Sequence, residues 1–128
     1  MSDAAMTAVF DHFHARRRRD VVAVINSLDP DVVHQGVLPE LVCNGRDAVV
    51  DRMRASLDGG DTGVEHLELN AAGESVVVGI AGQRFREIPF LNGEIFMVFK
   101  VRDGRIVRID DYRSREDAFG AVEAPAPN

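Results

Sequence analysis

The N-terminal part of the chain has the apolar spacing of helices. Four apolar residues of segment 4–17 recur at intervals of three and four, which predicts an amphipathic helix with this stripe facing inward: Met6, Val9, Phe10 and Phe13. Asp20 can cap a second helix, VVAVINSL (21–28). Asp29 would end that helix, because the residue before Pro30 avoids helical geometry.

A short strand, a loop and a further helix are predicted next. DVVHQG (31–36) is typical of a strand, and VLPELVCNG (37–45) contains the proline and the Asn-Gly pair of a loop. GRDAVVDRMRASLDGG (45–60) predicts a helix that two glycines end, with these apolar residues on one side: Val49, Val50, Met53 and Leu57.

The second half of the chain is rich in β-forming residues. Runs separated by turn residues predict strands at 64–71, 74–88, 93–102 and 105–113. The Asp-Gly pair at 103–104 is a two-residue hairpin signal, and two glycines in the second run, Gly79 and Gly82, predict a bend or bulge. The element order therefore predicts an α+β fold, in which helices cover one face of a curved, mainly antiparallel sheet.

Composition and charge restrict the function. The 128 residues suit a single domain spanning 1–128, in which residues 120–128 form a frayed tail. The formal net charge of −6 argues against nucleic-acid binding, which needs an excess of Lys and Arg. The single cysteine, Cys43, allows no intrachain disulfide, and neither an apolar leader nor a membrane span is recognisable. We therefore expect a cytoplasmic protein that binds no nucleic acid and no membrane.

Two adjacent aspartates, Asp110 and Asp111, interrupt the last predicted strand. Because neighbouring side chains of a strand point to opposite faces, one acid can face solvent while the other faces the enclosed side. We predict that Asp111 faces inward and acts as a general base, with Asp110 outside. The residues expected to enclose Asp111 are apolar: Phe96, Val98 and Ile109. The alternative is a structural ion pair of Asp111 with an arginine: Arg84, Arg113 or Arg115.

Other candidate site residues lie on several predicted elements. His34, on the inward face of the first strand, could act as acid, base or hydrogen-bond donor beside Asp111, or be an ordinary interior histidine. Gln83 could bond a carbonyl or hydroxyl group of a ligand, or loose backbone groups near the bend. The predicted ligand-binding set combines Gln83 with apolar residues that could also simply fill the core: Phe13, Met53, Leu57, Phe96 and Ile109.

Cofactor sites are not indicated by the sequence. His12, His14 and His66 lack the spacing of metal ligands, and the lone cysteine supplies no second thiolate. The motifs of serine hydrolases, of nucleotide-phosphate loops and of dinucleotide-binding folds are absent. We therefore expect no metal and no cofactor, and chemistry limited to acid and base groups.

Three segments together resemble a known group of proteins. DVVHQG, NGRDAVVDRMR and VFKVRDGRIVRIDDY resemble the SnoaL-like branch of the nuclear transport factor 2-like superfamily, and the likeness in element order covers residues 5–119. Within it the chain is most similar to the limonene epoxide hydrolase and ketosteroid isomerase-type branches, through GRDAV (45–49) and DYRSRED (111–117). The resemblance implies a conical fold, with about three N-terminal helices and a curved sheet enclosing an apolar pocket, and often a homodimer.

The resemblance also implies roles for individual residues. Asp111 takes the place of a catalytic aspartate of the epoxide hydrolases, His34 that of a pocket tyrosine, and Gln35 that of a neighbouring glutamine. The Arg-x-Asp pair of those enzymes falls on Ala81 and Gln83, so this pair is missing here. A shifted register that turned one of two nearby arginines inward could replace it: Arg84 or Arg86.

The leading hypothesis is a pocket protein that binds a small, mostly hydrophobic organic molecule. Its candidate reaction is cofactor-free isomerase, cyclase or hydrolase chemistry, with Asp111 as general base and His34 assisting. The alternative is a non-catalytic ligand-binding or dimerisation module, which the missing Arg-x-Asp pair favours. Apolar residues alternate on both faces of GEIFMVFKV (93–101), and helices on one face cannot cover both, so we also predict a homodimer.

Overall fold

The computed structural model describes residues 2–58, 65–88, 91 and 93–123. Within these ranges the helices are α1 (Ser2–Arg17), α2 (Val21–Ser27), α3 (Arg46–Asp58), α4 (Gln83–Arg86) and α5 (Arg115–Glu123). The strands are β1 (Leu28–Gln35), β2 (Val42–Asn44), β3 (His66–Ala72), β4 (Ser75–Ala81), β5 (Glu94–Arg102) and β6 (Arg105–Tyr112). None of these helices is both long and apolar enough to cross a membrane.

The strands of the described residues form one sheet in the order β2-β1-β6-β5-β4-β3. β1 and β6 are parallel, and the other neighbouring pairs are antiparallel. One face, here called the inner face, packs with α1, α2 and α3 around the main core through residues that include Val78, Met97, Phe99, Ile106 and Ile109. The opposite, outer face packs with α5 through Val77, Phe96 and Val98. The predicted α+β fold, with helices on a mainly antiparallel sheet, is confirmed.

The buried face of α1 differs from the predicted stripe. Val9 is fully buried as predicted, but Phe10 is 59% exposed and its ring stacks on that of His14. The residues that pack inward follow the 3.6-residue helical period: Ala5, Val9, His12 and Ala15. The inward prediction for Phe10 is therefore wrong, and a polar residue, His12, lies in the core.

β1 begins before the predicted strand, and β2 occupies part of the predicted loop. β1 pairs with β6 from Leu28 onward, with an irregular register after it. Pro30 lies in this irregular stretch. Proline has no backbone N–H, and none is required there because Pro30 is not paired with a residue of β6. Beyond β1, the Gln35 amide Nε2 donates hydrogen bonds to the carbonyl oxygens of Leu38 at 3.1 Å and Gly36 at 3.2 Å. These bonds hold the turn that returns the chain as β2.

The second predicted β-run is shorter in the structure. β4 ends at Ala81, and α4 follows and places Phe85 in the core at 8% exposure. Gly82 donates its N–H to the Gly93 carbonyl oxygen at 3.1 Å, and its own carbonyl accepts from Phe85 N–H. Both backbone groups of Gly82 are thus satisfied outside the pairing of strands. The strand prediction for residues 82–88 is wrong, since this stretch contains the helical turn α4, from which Phe85 packs into the core.

Helix α5 is absent from the sequence-based prediction. Ser114 caps it, since its Oγ accepts from Asp117 N–H at 3.1 Å and its carbonyl from Ala118 N–H at 3.2 Å. Ala118 is fully buried against the outer face of the sheet. Residues 120–123, assigned above to a frayed tail, are helical, and residues 124–128 lie outside the described residues.

The predicted hairpin between β5 and β6 is confirmed. Asp103 (φ 53°) and Gly104 (φ 77°) both have positive φ, as in a type I′ turn, whose twist matches that of the flanking strands. The pairing beyond the turn places Met97 of β5 opposite Asp111 of β6.

Gly79 lies in β4 where two side chains approach the backbone closely. A Cβ at this position would lie 2.7 Å from Glu68 Oε1 and 2.9 Å from Phe96 Cε2. The register of β4 with β3 and β5 is unbroken, so Gly79 permits close packing and not the predicted bulge. Because Arg115 holds Glu68 in place, we expect Gly79→Ala to lower the free energy of unfolding by about 1–3 kcal/mol.

Gly120 of α5 provides the matched control, because a Cβ there meets nothing within 4 Å. Gly120→Ala should raise the free energy of unfolding by about 0.5–1 kcal/mol, since alanine favours a helix over glycine. Urea unfolding of both variants measures the two effects. A Gly79→Ala protein as stable as the wild type would contradict the packing role.

Candidate functional site

His34 and Asp111 form a buried pair on the inner face of the sheet. His34 Nε2 lies 2.8 Å from Asp111 Oδ1, and the two residues are 7% and 9% exposed. The parallel strands β1 and β6 bring them together, because His34 is opposite Ile109, which is on the same face as Asp111 two residues later. Asp111 thus faces inward, as the alternation along β6 predicts, and His34 lies beside it.

The arginines considered as alternative partners of Asp111 are elsewhere or undescribed. Arg115 forms an ion pair with Glu68, and this hydrogen bond lowers the pKa of the Glu68 carboxyl. Arg113 is exposed, and the side chain of Arg84 lies outside the described residues. In the part of the chain that the structure describes, the side chain bonded to Asp111 is that of His34.

Asp110 lies on the outer face, as predicted. Its carboxylate accepts hydrogen bonds from the Arg108 guanidinium, with Nε 2.9 Å from Oδ2. This hydrogen bond raises the pKa of Arg108. The two adjacent aspartates therefore have different environments, an exposed arginine for Asp110 and a buried histidine for Asp111.

Phe96 and Val98 do not enclose Asp111. Both lie on the outer face beneath α5, and Met97 is the β5 residue opposite Asp111. The prediction of Phe96 as a ligand-binding residue beside Asp111 is therefore wrong. Which β5 residues share a face with Asp111 depends on the pairing of β5 with β6, and a shift of this pairing by one residue would exchange the two sets. Ile109 is fully buried on the inner face, where it was expected.

The other predicted ligand-binding residues fall into two groups. Phe13 is half-buried, and its ring meets that of Phe99 edge-on at 5.3 Å on the inner side. Met53 is 6% exposed and belongs to the main core. The side chains of Leu57 and Gln83 lie outside the described residues, so their roles stay predictions.

The described interior contains no counterpart of the Arg-x-Asp pair. Ala81 ends β4, and Arg86 forms an exposed ion pair with Glu65 at 3.0 Å instead of turning inward. Among the described residues, three polar or charged residues are buried: His12, His34 and Asp111. No three potential metal ligands come together within this part of the chain. Within the described ranges, the buried groups that can exchange protons are therefore one carboxyl group and two histidine rings.

His12 of α1 also lies in this interior, although the sequence did not indicate it as a site residue. It is fully buried, and its Nδ1 lies 2.8 Å from Ser27 Oγ. Burial lowers the pKa of His12 to about 3, with further lowering by Arg16 and His34, so the imidazole is neutral at neutral pH. Its burial could have been predicted from its position three residues after Val9, on the inward face of the helix.

A polar groove lies at the other end of β6. Its volume is about 570 Å³, and it is lined by Asp29, Asp31, Arg102, Asp103, Arg105 and Val107. These residues surround the turn between β5 and β6, whereas Asp111 is near the opposite end of the strand. Because its lining is mostly charged, the groove suits a polar molecule and not the hydrophobic ligand expected here.

Comparisons with known proteins agree with the observed fold. A family model described as a SnoaL-like domain matches residues 9–109. A search of curated protein sequences gives no match.

Several solved structures share the fold at low sequence identity. A candidate polyketide cyclase from Sinorhizobium meliloti has a TM-score of 0.66 and 23% identity, with 83% of this chain and 94% of that chain covered. Another, from Xanthomonas campestris pv. campestris, has a TM-score of 0.66 and 22% identity, with 95% and 98% covered. TerC, co-crystallised with polyporic acid, has a TM-score of 0.60 and 17% identity, with 95% and 100% covered.

Proposed function

The chain belongs to the SnoaL-like domain family, and from its buried His34–Asp111 pair we propose that it is a cofactor-free enzyme acting on a small, mostly hydrophobic carbonyl compound, with Asp111 as general base. The observation that carries the proposal is a carboxylate held 2.8 Å from a histidine nitrogen in an apolar interior. Similarity to two candidate polyketide cyclases supports this reaction class, since ring closure of a carbonyl compound begins with removal of a proton from carbon.

The proposed step is proton abstraction next to a carbonyl group. Asp111 Oδ2 accepts the proton, and the electron pair of the broken C–H bond moves into the carbonyl group to form an enolate. His34 Nε2–H donates to Oδ1 and holds the carboxylate in one orientation, which leaves Oδ2 for the substrate. Apolar neighbours on the inner face keep bulk water from the enolate: Met97, Phe99 and Ile109.

A simple carbon acid tests this step. 2-Tetralone has an apolar ring system and exchangeable protons next to its carbonyl group, and in heavy water its enolate returns to the ketone with deuterium. We expect the protein to accelerate this exchange at neutral pH by at least about a hundredfold over buffer, followed by proton NMR. Exchange no faster than in buffer would contradict the role of a general base.

A non-catalytic ligand-binding module is the second candidate function. It is favoured by the mutual hydrogen bond of His34 and Asp111, which needs no ligand to be satisfied, and by the absence of a second buried carboxylate among the described residues. This candidate predicts that 2-tetralone binds at the inner face but exchanges at the buffer rate.

The homodimer stays a prediction, and one of its premises does not hold. α5 covers Val77, Phe96 and Val98, so these outer-face residues are not an open apolar surface. The charged pair of Arg108 and Asp110 also lies on that face. Light scattering at micromolar concentration decides the point. Twice the chain mass of 14.1 kDa would confirm a dimer, and a single chain mass would exclude it.

A further inference from the structure

The hydrogen bonds of Ser27 determine the tautomer of His12. The Ser27 hydroxyl donates its one proton to the Val24 carbonyl oxygen at 2.6 Å. The Ser27 oxygen can then only accept from His12 Nδ1, 2.8 Å away, so Nδ1 carries the ring proton. In the neutral imidazole, Nε2 is consequently a hydrogen-bond acceptor with no proton of its own.

That acceptor has no partner within the described residues. His12 is 0% exposed, and its Nε2 is buried without a hydrogen bond. Nδ1 of His34 is likewise buried and unpartnered in this part of the chain. Because buried polar atoms are rarely left without a hydrogen bond, both nitrogens indicate a partner that the described chain itself does not supply, and for His12 Nε2 that partner must be a donor.

Both histidines lie on the inner side of the sheet. The ring centroid of His12 lies 5.8 Å from that of Phe99. Phe99 is opposite Ile109 across β5 and β6, and Ile109 is opposite His34 across β6 and β1. His12 therefore stands on the helix side of the site, facing the sheet that carries His34 and Asp111.

We propose that His12 is a ligand-binding residue whose Nε2 accepts a hydrogen bond from a hydroxyl group of the bound molecule. The inference rests on the proposed interior site and narrows its substrate class to hydrophobic carbonyl compounds that also carry a hydroxyl group, such as a phenol or an enol. If an ether or ketone oxygen occupied the same place, its lone pair would face the lone pair of His12 Nε2 with no proton between them. The site should therefore discriminate against it.

Two matched probes test this inference. 2-Naphthol and 2-methoxynaphthalene have the same ring system, and the second lacks the hydroxyl proton. We expect the wild-type protein to bind 2-naphthol at least about tenfold more tightly than the ether in a fluorescence titration. His12→Phe removes the acceptor and should bring this ratio close to one, with binding of the ether retained. His14→Phe, at an exposed position of the same helix, should keep the wild-type ratio.

Nitrogen-15 NMR of the wild-type histidine rings keeps the test valid if His12→Phe does not fold. The spectrum should show His12 protonated at Nδ1, and 2-naphthol, but not the ether, should shift the Nε2 signal. The inference would be overturned by equal affinity for both probes, by no binding of either, or by an Nε2 signal that does not respond to 2-naphthol. A buried water would then be the donor to His12 Nε2. The proposed function is judged separately by the exchange of 2-tetralone, which has no hydroxyl group and therefore does not report on the acceptor of His12.

Discussion

Asp111→Asn is expected to abolish the exchange of 2-tetralone protons while leaving the fold intact. Asparagine cannot accept the proton, so the rate should fall by at least about a hundredfold, to that of buffer. Its side-chain oxygen can still accept a hydrogen bond from His34 Nε2–H, so the free energy of unfolding should change by less than about 1 kcal/mol. Proton NMR and urea unfolding of the same preparation measure the two effects.

Asp110→Asn is the matched control on the other face of β6. Asp110 pairs with Arg108 at side-chain exposures of 24% and 46%, so its loss should cost at most about 1 kcal/mol and leave exchange unchanged. Exchange that persists in Asp111→Asn would exclude Asp111 as the base. A loss of about 3–5 kcal/mol in Asp111→Asn, with no exchange by the wild type, would instead identify a structural ion pair with His34.

Acid should destabilise the protein through His12. Its pKa is about 3 in the folded protein and returns to near 6.5 in the unfolded chain. Below pH 6.5 the unfolded chain binds a proton that the folded protein does not, so folding becomes less favourable as the pH falls. The expected decrease in the free energy of unfolding is about 1.4 kcal/mol for each pH unit, ending near the folded pKa.

His12→Asn should remove this dependence, because asparagine does not titrate. Urea unfolding between about pH 4.5 and 7.5 should give a smaller slope of stability against pH for the variant, even where the variant is less stable throughout. Arg115 lowers the pKa of the Glu68 carboxyl, so protonation of Glu68 in acid also reduces the free energy of unfolding. This reduction is the same in both proteins. His14→Asn should keep the wild-type slope. Parallel curves for His12→Asn and the wild type would contradict a buried neutral imidazole.

Local periodicity was sufficient to predict that Asp111 faces the inner side of the sheet. Asp111 and Ile109 are two residues apart on one strand, so they share a face whatever the strand packs against. The Asp103-Gly104 turn could also be predicted from local sequence, since few residue pairs adopt positive φ at both positions. The fold class followed from the order of such segments, because each segment carried its own pattern.

Three features depended on interactions between segments. The face of Phe96 relative to Asp111 is set by the pairing of two strands, and this pairing is irregular near the turn. His12 has the right helical position for burial, but its polarity argued against a core position until Ser27 supplied a partner. α5 carries a capping signature, Ser114 followed by Asp117, yet a helix of nine residues gains most of its stability from the surface it covers.

The most direct test of the account is an NMR titration of the labelled protein with 2-tetralone, followed through backbone amide and histidine ring signals. We expect the largest shifts on the inner face, at His34, Ile109 and Asp111, with the His34 ring signals included. Shifts confined to the polar groove at Asp29, Arg102 and Arg105, or to the outer face at Asp110, with the His34 ring unchanged, would contradict it.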